Sequence, residues 1–212
     1  AIRCAQNGIP TGHLVGFDAA ASGAQLLSVL ARCKVGMKNT GVLNDSNATS
    51  APDIYKTCTS VMNRSSYVRK AVKNALMCYY YGSDQEPKIT FGEGDDLELF
   101  LNAAKTVAPE AFDLRSILMG LWNPEALDHT WVMPDRGTVH ARVWATKDFR
   151  IQEPLLGSSF TFRAKVNEAQ ENGKSIVANV THSCDAYMVR EINRRCNFTQ
   201  EQLWNALAII NT

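Results

Sequence analysis

No apolar run in this chain approaches the roughly 18 residues that a membrane-spanning helix needs, and no basic-then-apolar leader opens it, so no membrane partner is expected. Strong net charge is missing too. Lys and Arg number 22 against 21 Asp and Glu, which leaves +1. No global basic field announces a nucleic acid, and any such site must be a local cluster. The six cysteines (Cys4, Cys33, Cys58, Cys78, Cys184, Cys196) include no C-x-x-C pair. That spacing argues against zinc or a disulfide framework and for reduced thiols. Internal repeats and low-complexity tracts are absent as well. Ala rather than Met stands first, as expected of a processed chain or a segment of something longer.

What is present suits a folded core. Hydrophobic residues make up 45% of the 212, enough for one large domain or two small ones. HLVGF (13–17) reads as a short buried strand, followed by a helix over 20–33. Residues 34–52 read as loop. Pro52 is expected in the first turn of a helix over 53–63, with Ser50 or Ala51 near its N-cap. A basic helix follows over 65–81. Residues 84–96, with Pro87, Gly92 and Gly94, read as loop. Helical periodicity returns over 96–108 and 112–122, and Asn123-Pro124 breaks it. From Thr130 the alternation of β-branched residues predicts strands and a long hairpin over 139–165. Helices over 181–195 and 199–210 close the chain. The pattern is α+β and helix-rich.

The basic helix carries the most chemistry. Arg69, Lys73, Met77 and Tyr81 recur every four residues, so they share one helical face. Like charges at that spacing repel by a few tenths of a kcal/mol, so an anionic partner is expected to offset them. From Arg69 to Tyr81 the helix rises about 18 Å, about the length of a nucleoside triphosphate. Gly82 suits a C-terminal stop. On spacing alone the same stripe is also an ordinary solvated basic face. Arg64 and Lys70 lie off it.

The pattern R-x3-K-x7-Y-G (69–82) resembles the fingers helix shared by single-subunit phage and mitochondrial RNA polymerases and family A DNA polymerases. Four further segments choose between them. Asp18-x3-Ser22-Gly23-x-Gln25 resembles the first palm motif of the RNA polymerases, whose Asp binds both catalytic magnesium ions; read alone, Asp18 is also a good helix N-cap. Small residues after Asp18, where DNA polymerases carry a Glu that closes over the sugar, favour ribonucleotides. Asp53-Ile54-Tyr55 resembles a D-I-Y segment near the nucleotide-selecting Tyr. Trp131-Val132-Met133-Pro134-Asp135 resembles the segment that precedes a long hairpin, which in phage relatives reads promoter DNA. Asn179-x2-His182-Ser183-x-Asp185 resembles the segment whose His helps that Tyr read the 2′-hydroxyl.

The matches run in family order over residues 14–190, with the large N-terminal domain absent and the insert before the basic helix short. The resemblance implies a right-hand polymerase fingers and palm fragment with a β-hairpin insertion. It divides into partial palm (1–50), fingers (51–130), strand and hairpin region (131–180) and helices leading back to the palm (181–212). It implies template-directed transfer of ribonucleoside triphosphates, with a DNA template, an RNA product and two Mg2+ ions. Asp18 would be the metal ligand. Arg69 and Lys73 would bind the triphosphate, with Lys73 also the acid for departing pyrophosphate. Tyr81 and His182 would read the ribose, beside Met77 and Tyr55. Arg142, Lys147, Arg150 and Arg163, with Lys165, would meet nucleic acid. A viral protein of the host cytoplasm or the virion follows from the same likeness. A non-catalytic polymerase remnant that grips nucleic acid or a subunit, and a family A DNA polymerase fragment, stay open as alternatives.

Asp185 is not the second metal aspartate in this pattern. That residue belongs to a later His-Asp pair, and the chain stops at Thr212 before it, so a further polypeptide or segment is expected to supply it. The 212-residue chain alone is therefore expected to make no RNA. Template-dependent incorporation of labelled ribonucleotides by the purified chain, with no added polypeptide, would overturn this.

Overall fold

A computed structural model describes residues 21–43, 50–64, 67–155, 157–171 and 175–195. Among the described residues seven helices come first: α1 (Ser22–Leu30), α2 (Lys34–Asn39), α3 (Ile54–Met62), α4 (Arg69–Tyr80), α5 (Gln85–Phe91), α6 (Asp95–Val107) and α7 (Pro109–Gly120). Two antiparallel hairpins follow, β1 (Asp128–Val132) with β2 (Thr138–Arg142), and β3 (Trp144–Glu153) with β4 (Ser158–Asn167). Helix α8 (Ser175–Arg195) ends the described chain. The protein is thus α+β and mostly helical. Among the described residues no helix is long and apolar enough to cross a membrane. Asp18, the predicted strand over 13–17 and the predicted helix over 199–210 lie outside the described residues.

One apolar core joins the helices. α3 packs between α4 and α6, while α1 touches α4, α7 and α8. Leu27 (α1), Ile54 (α3), Leu76 and Tyr80 (α4), Phe100 (α6) and Val177 (α8) are among its largest fully buried members. Burying side chains of this size contributes about 1.5–3 kcal/mol each before chain entropy is subtracted. The four described cysteines are free. Cys58 lies in the core, where burial pushes its thiol up to about 12.

Several boundaries differ from the sequence expectation, each for a physical reason. Residues 34–39 form a helix rather than loop. Its Gly36 is not a breaker but a contact: a Cβ there would overlap Ser28 Oγ and lie 2.9 Å from Ala108 Cβ. Cys33 Sγ caps it by accepting the Gly36 N–H at 3.2 Å. Residues 85–91 are also helical. Pro87 sits in the first turn, where a backbone N–H has no intrahelical partner, and Gly92, at φ +76°, ends the helix. The two breakers bracket the helix instead of interrupting it, and Phe91 locks it by stacking on Phe100 at 4.7 Å.

The N-cap of α3 is Asp53, not Ser50 or Ala51, because its carboxylate reaches the Tyr55 and Lys56 N–H groups at 3.0 and 3.2 Å. Pro52 therefore precedes the helix. α4 begins at Arg69, since Val68 is extended. α8 starts six residues before Thr181, its first turns held by Ile176 and Val177 in the core.

The long hairpin is two hairpins. Val143 is buried, and its N–H bonds Leu127 O while its carbonyl accepts from Glu168 N–H. Residues 138–142 therefore pair with β1, and the projecting ribbon starts at Trp144.

The α1–α2–α7 contact yields a test. Ser28 Oγ is buried without a hydrogen-bond partner and faces Gly36. Gly36→Ala should lower stability by about 1–3 kcal/mol through overpacking. Ser28→Ala should be neutral or stabilising, and it should relieve part of the Gly36→Ala loss. Urea midpoints of the two single variants and the double variant measure this.

Candidate functional site

The α4 stripe is positioned from both ends. At its C-terminus Gly82, at φ +95°, lets the chain turn back. Gly82 N–H donates to Tyr79 O and Ser83 N–H to Cys78 O, both at 2.9 Å, which is the paired bonding of a Schellman stop. Arg115 of α7 clamps the same turn from within. It is buried, its Nε donates to Tyr79 O at 2.6 Å, its Nη2 pairs with Asp84, and its guanidinium lies 3.8 Å from the Tyr79 ring centroid. Tyr81, the first residue past the helix, is thereby held in one place.

Tyr81 meets two other predicted segments. Its hydroxyl lies 2.9 Å from Ser22 Oγ. Its ring packs over Gly23, where an added Cβ would come within 3.0 Å of ring atoms Cε2 and Cζ. The Ser-Gly pair is thus a platform: Ser22 supplies a hydroxyl and Gly23 the absence of a side chain. The exposed His182 ring stands 5.4 Å from the Tyr81 ring, centroid to centroid. α8 is fixed there because Trp131 Nε1 donates to Ser183 Oγ at 3.1 Å. Residues from three predicted segments therefore meet around one phenol, and a fourth, through Trp131, anchors the helix that carries His182.

A cavity of about 240 Å³ opens beside it, lined by Ser22, Gly23, Tyr55, Lys73, Met77 and Tyr81 among others. A second, of about 210 Å³, adjoins it and is lined by Asn39, Asp53, Tyr55 and Arg69. Tyr55 borders both. The Arg69 guanidinium and the Lys73 ammonium lie 5.6 and 5.7 Å from its ring centroid, so one aromatic face lies within reach of both cations. Arg69 also pairs with Asp53, its Nε donating to Oδ2 at 2.7 Å with Nη2 beside it. Asp53 and the Tyr55 ring together answer the repulsion that the Arg69–Lys73 spacing creates. Among the described residues no carboxylate pairs with Lys73.

The electrostatics follow. Burial works against the Asp53 charge, but hydrogen bonds from Arg69 and from the Lys56 and Tyr55 N–H groups outweigh it and hold its carboxyl below the usual value. Burial raises the Tyr55 phenol, helped by Tyr81 and Asp53 and opposed by Arg69, so it stays neutral near pH 7.

Other predicted residues do not share this place. Cross-strand partners share a face of the ribbon, and the register puts Arg150, Arg163 and Lys165 on one face but Lys147 on the other. Arg163 is held bidentately by Asp148, Lys147 by Glu168, and Arg142 belongs to the separate β1–β2 hairpin. Among the described residues no group of three or more His, Cys, Asp or Glu could hold a metal, and Asp18 is not among them. Two residues that shape the site carried no functional role in the sequence reading. Asp53 was visible as a charge at a helix start and as the first residue of the D-I-Y resemblance, and Arg115 carries no mark in the sequence that sets it apart.

Asp53 gives a pH test. Its folded pKa is depressed, so the stability it contributes is present above the ordinary carboxylate value of 3.8 and is lost as pH falls through the lower folded value. Asp53→Asn keeps a capping oxygen but no charge. Its urea midpoint should lie below that of the unchanged protein at pH 6, and the gap should close below about pH 4. A gap independent of pH would show that the Arg69 pair contributes nothing.

No family model matches the sequence, and no curated protein matches it either.

Proposed function

We propose that this chain is the fingers and part of the palm of a phage-type DNA-dependent RNA polymerase, and that the open face of α4 binds the incoming ribonucleoside triphosphate. One observation carries the reading. Tyr81 and Ser22-Gly23 line one cavity with Lys73, and the ring of His182, 160 residues beyond Ser22 in sequence, stands against that same Tyr81. A merely solvated basic stripe requires no such convergence.

Each side chain has a role that its surroundings support. Lys73, which has no carboxylate partner among the described residues, would meet phosphate oxygens and supply a proton to departing pyrophosphate. Arg69 turns Nε and Nη2 towards Asp53, which leaves Nη1 for phosphate. Asp53 would thus aim the guanidinium. Tyr81 shares one hydrogen bond with Ser22. Whichever hydroxyl donates, the phenol keeps one hydrogen-bonding function for a ribose 2′-OH, which can both donate and accept. His182 would close the sugar side, and Met77 and Tyr55 would line the nucleotide. Asp18 would hold magnesium, which stabilises the attacking and leaving oxygens of phosphoryl transfer. Arg150, Arg163 and Lys165, on one face of the ribbon, are the cations best grouped for nucleic-acid phosphates, with Lys147 and Arg142 set apart.

The test is nucleotide binding by the full chain with Mg2+, followed by calorimetry. Ribonucleoside triphosphates should bind more tightly than deoxyribonucleoside triphosphates. Lys73→Ala should weaken both by about tenfold or more, the worth of one charge-assisted contact. Tyr81→Phe should erase the preference and leave deoxynucleotide affinity nearly unchanged. Binding indifferent to Lys73 would sink the proposal, and an unchanged protein that favours deoxynucleotides would point to the DNA polymerase alternative.

A further inference from the structure

The β3–β4 ribbon is sorted into two unlike faces. On one stand Thr146, Asp148, Arg150, Gln152 and their partners Lys165, Arg163, Thr161 and Ser159. On the other Phe149 lies opposite Phe162 and Ile151 opposite Phe160, flanked by Lys147 opposite Ala164 at one end and Glu153 opposite Ser158 at the other. Phe149 and Phe162 stack at 5.4 Å, yet the four apolar side chains remain 39–57% exposed. At the tip Leu155 is 95% exposed. A two-stranded ribbon with an open apolar face is marginal by itself, and apolar sheet faces are stabilised by packing face to face.

We infer that this face is a self-association surface, and that its occupant is the same face of a second copy of the chain. The argument is the symmetry of the pattern about residue 150. A two-fold axis perpendicular to the strands sends position 149 onto 151, 160 onto 162 and 147 onto 153. The apolar quartet then covers itself. Lys147, positive, meets the second copy's Glu153 about 20 Å along the strand from its own, and the reverse contact repeats it. An isologous contact requires this self-complementarity, which a face shaped for an unrelated partner has no reason to possess. In the single chain Lys147 rests on Glu168 at 2.6 Å and Glu153 accepts the Leu155 N–H at 3.2 Å, both at exposed positions free to exchange. So few side chains put the contact below about 1,200 Å² in total, in the range of weak, reversible interfaces. The inference does not depend on the nucleotide-binding reading.

Sedimentation equilibrium of the full 212-residue chain, from low micromolar to sub-millimolar concentration, should show a monomer–dimer equilibrium. Phe160→Ala should weaken it by about tenfold or more with the helical circular dichroism unchanged. Lys147→Glu and Glu153→Lys should each abolish the dimer. The double variant should restore it, and the two single variants mixed together should form a heterodimer. A chain monomeric at every concentration overturns the inference. So does a dimer indifferent to Phe160 or to the charge exchange, and so does a monomer that uses this face only for nucleic acid or for another polypeptide.

Discussion

Everything at the site depends on how α4 divides its two sides. Val72, Leu76, Tyr79 and Tyr80 must be buried to join α4 to α3, α5 and α6, while Arg69, Lys73, Met77 and Tyr81 must stay reachable on the adjoining face, where Leu76 and Tyr80 form the floor of the cavity. A helix does this only if its rotation about its own axis is fixed. Three features fix it: the buried Tyr80 hydroxyl on Ala104 O at 3.0 Å, the Schellman stop at Gly82, and Arg115 beneath Tyr79. Loss of any one would let the last turn fray, and Tyr81 would leave Ser22 and His182 together.

Asp53 couples stability to the site in a similar way. One carboxylate oxygen caps α3 and the other holds Arg69 of α4. The start of α3 and the first cation of α4 are thus tied to one side chain, with the Tyr55 ring between them. A cap alone could be Ser, Thr or Asn. Only an acid can also neutralise Arg69 and let two cations stand four residues apart without an external anion. The same pairing explains why Arg69 is directed rather than splayed into solvent.

Much of this was legible in the sequence because it rests on local periodicity. The face shared by Arg69, Lys73, Met77 and Tyr81 follows from a four-residue repeat, and the stop at Gly82 from glycine's access to positive φ. The helices over 34–39 and 85–91 were hidden because Gly36 and Pro87 are breakers by propensity, and tertiary contact overrides propensity. Gly36 is required by Ser28 and Ala108, residues with no sequence mark linking them to it. Val143 divided one expected hairpin into two for the same reason: only burial against the rest of the fold reveals an inward valine in an alternating run. The meeting of Tyr81 with Gly23 and His182 was reachable only through the resemblance, since no local pattern links residues so far apart.

The ribbon shows how one pattern can serve two purposes without conflict. In a β-strand adjacent residues point to opposite faces, so a run such as Lys147-Asp148-Phe149-Arg150-Ile151 sends alternate members to different surroundings. Read as composition, its cations form one basic cluster. Read by register, Arg150, Arg163 and Lys165 face one way, and Lys147 faces the other with the apolar quartet. Phosphates on the polar face and a second ribbon on the apolar face would not compete for the same atoms. Pairing two ribbons through their apolar faces would instead turn both sets of cations outward, on opposite sides of a short four-stranded sandwich. Each set would then hold its own stretch of an anionic strand, and association would raise the local concentration of basic faces that a net charge of +1 does not otherwise supply.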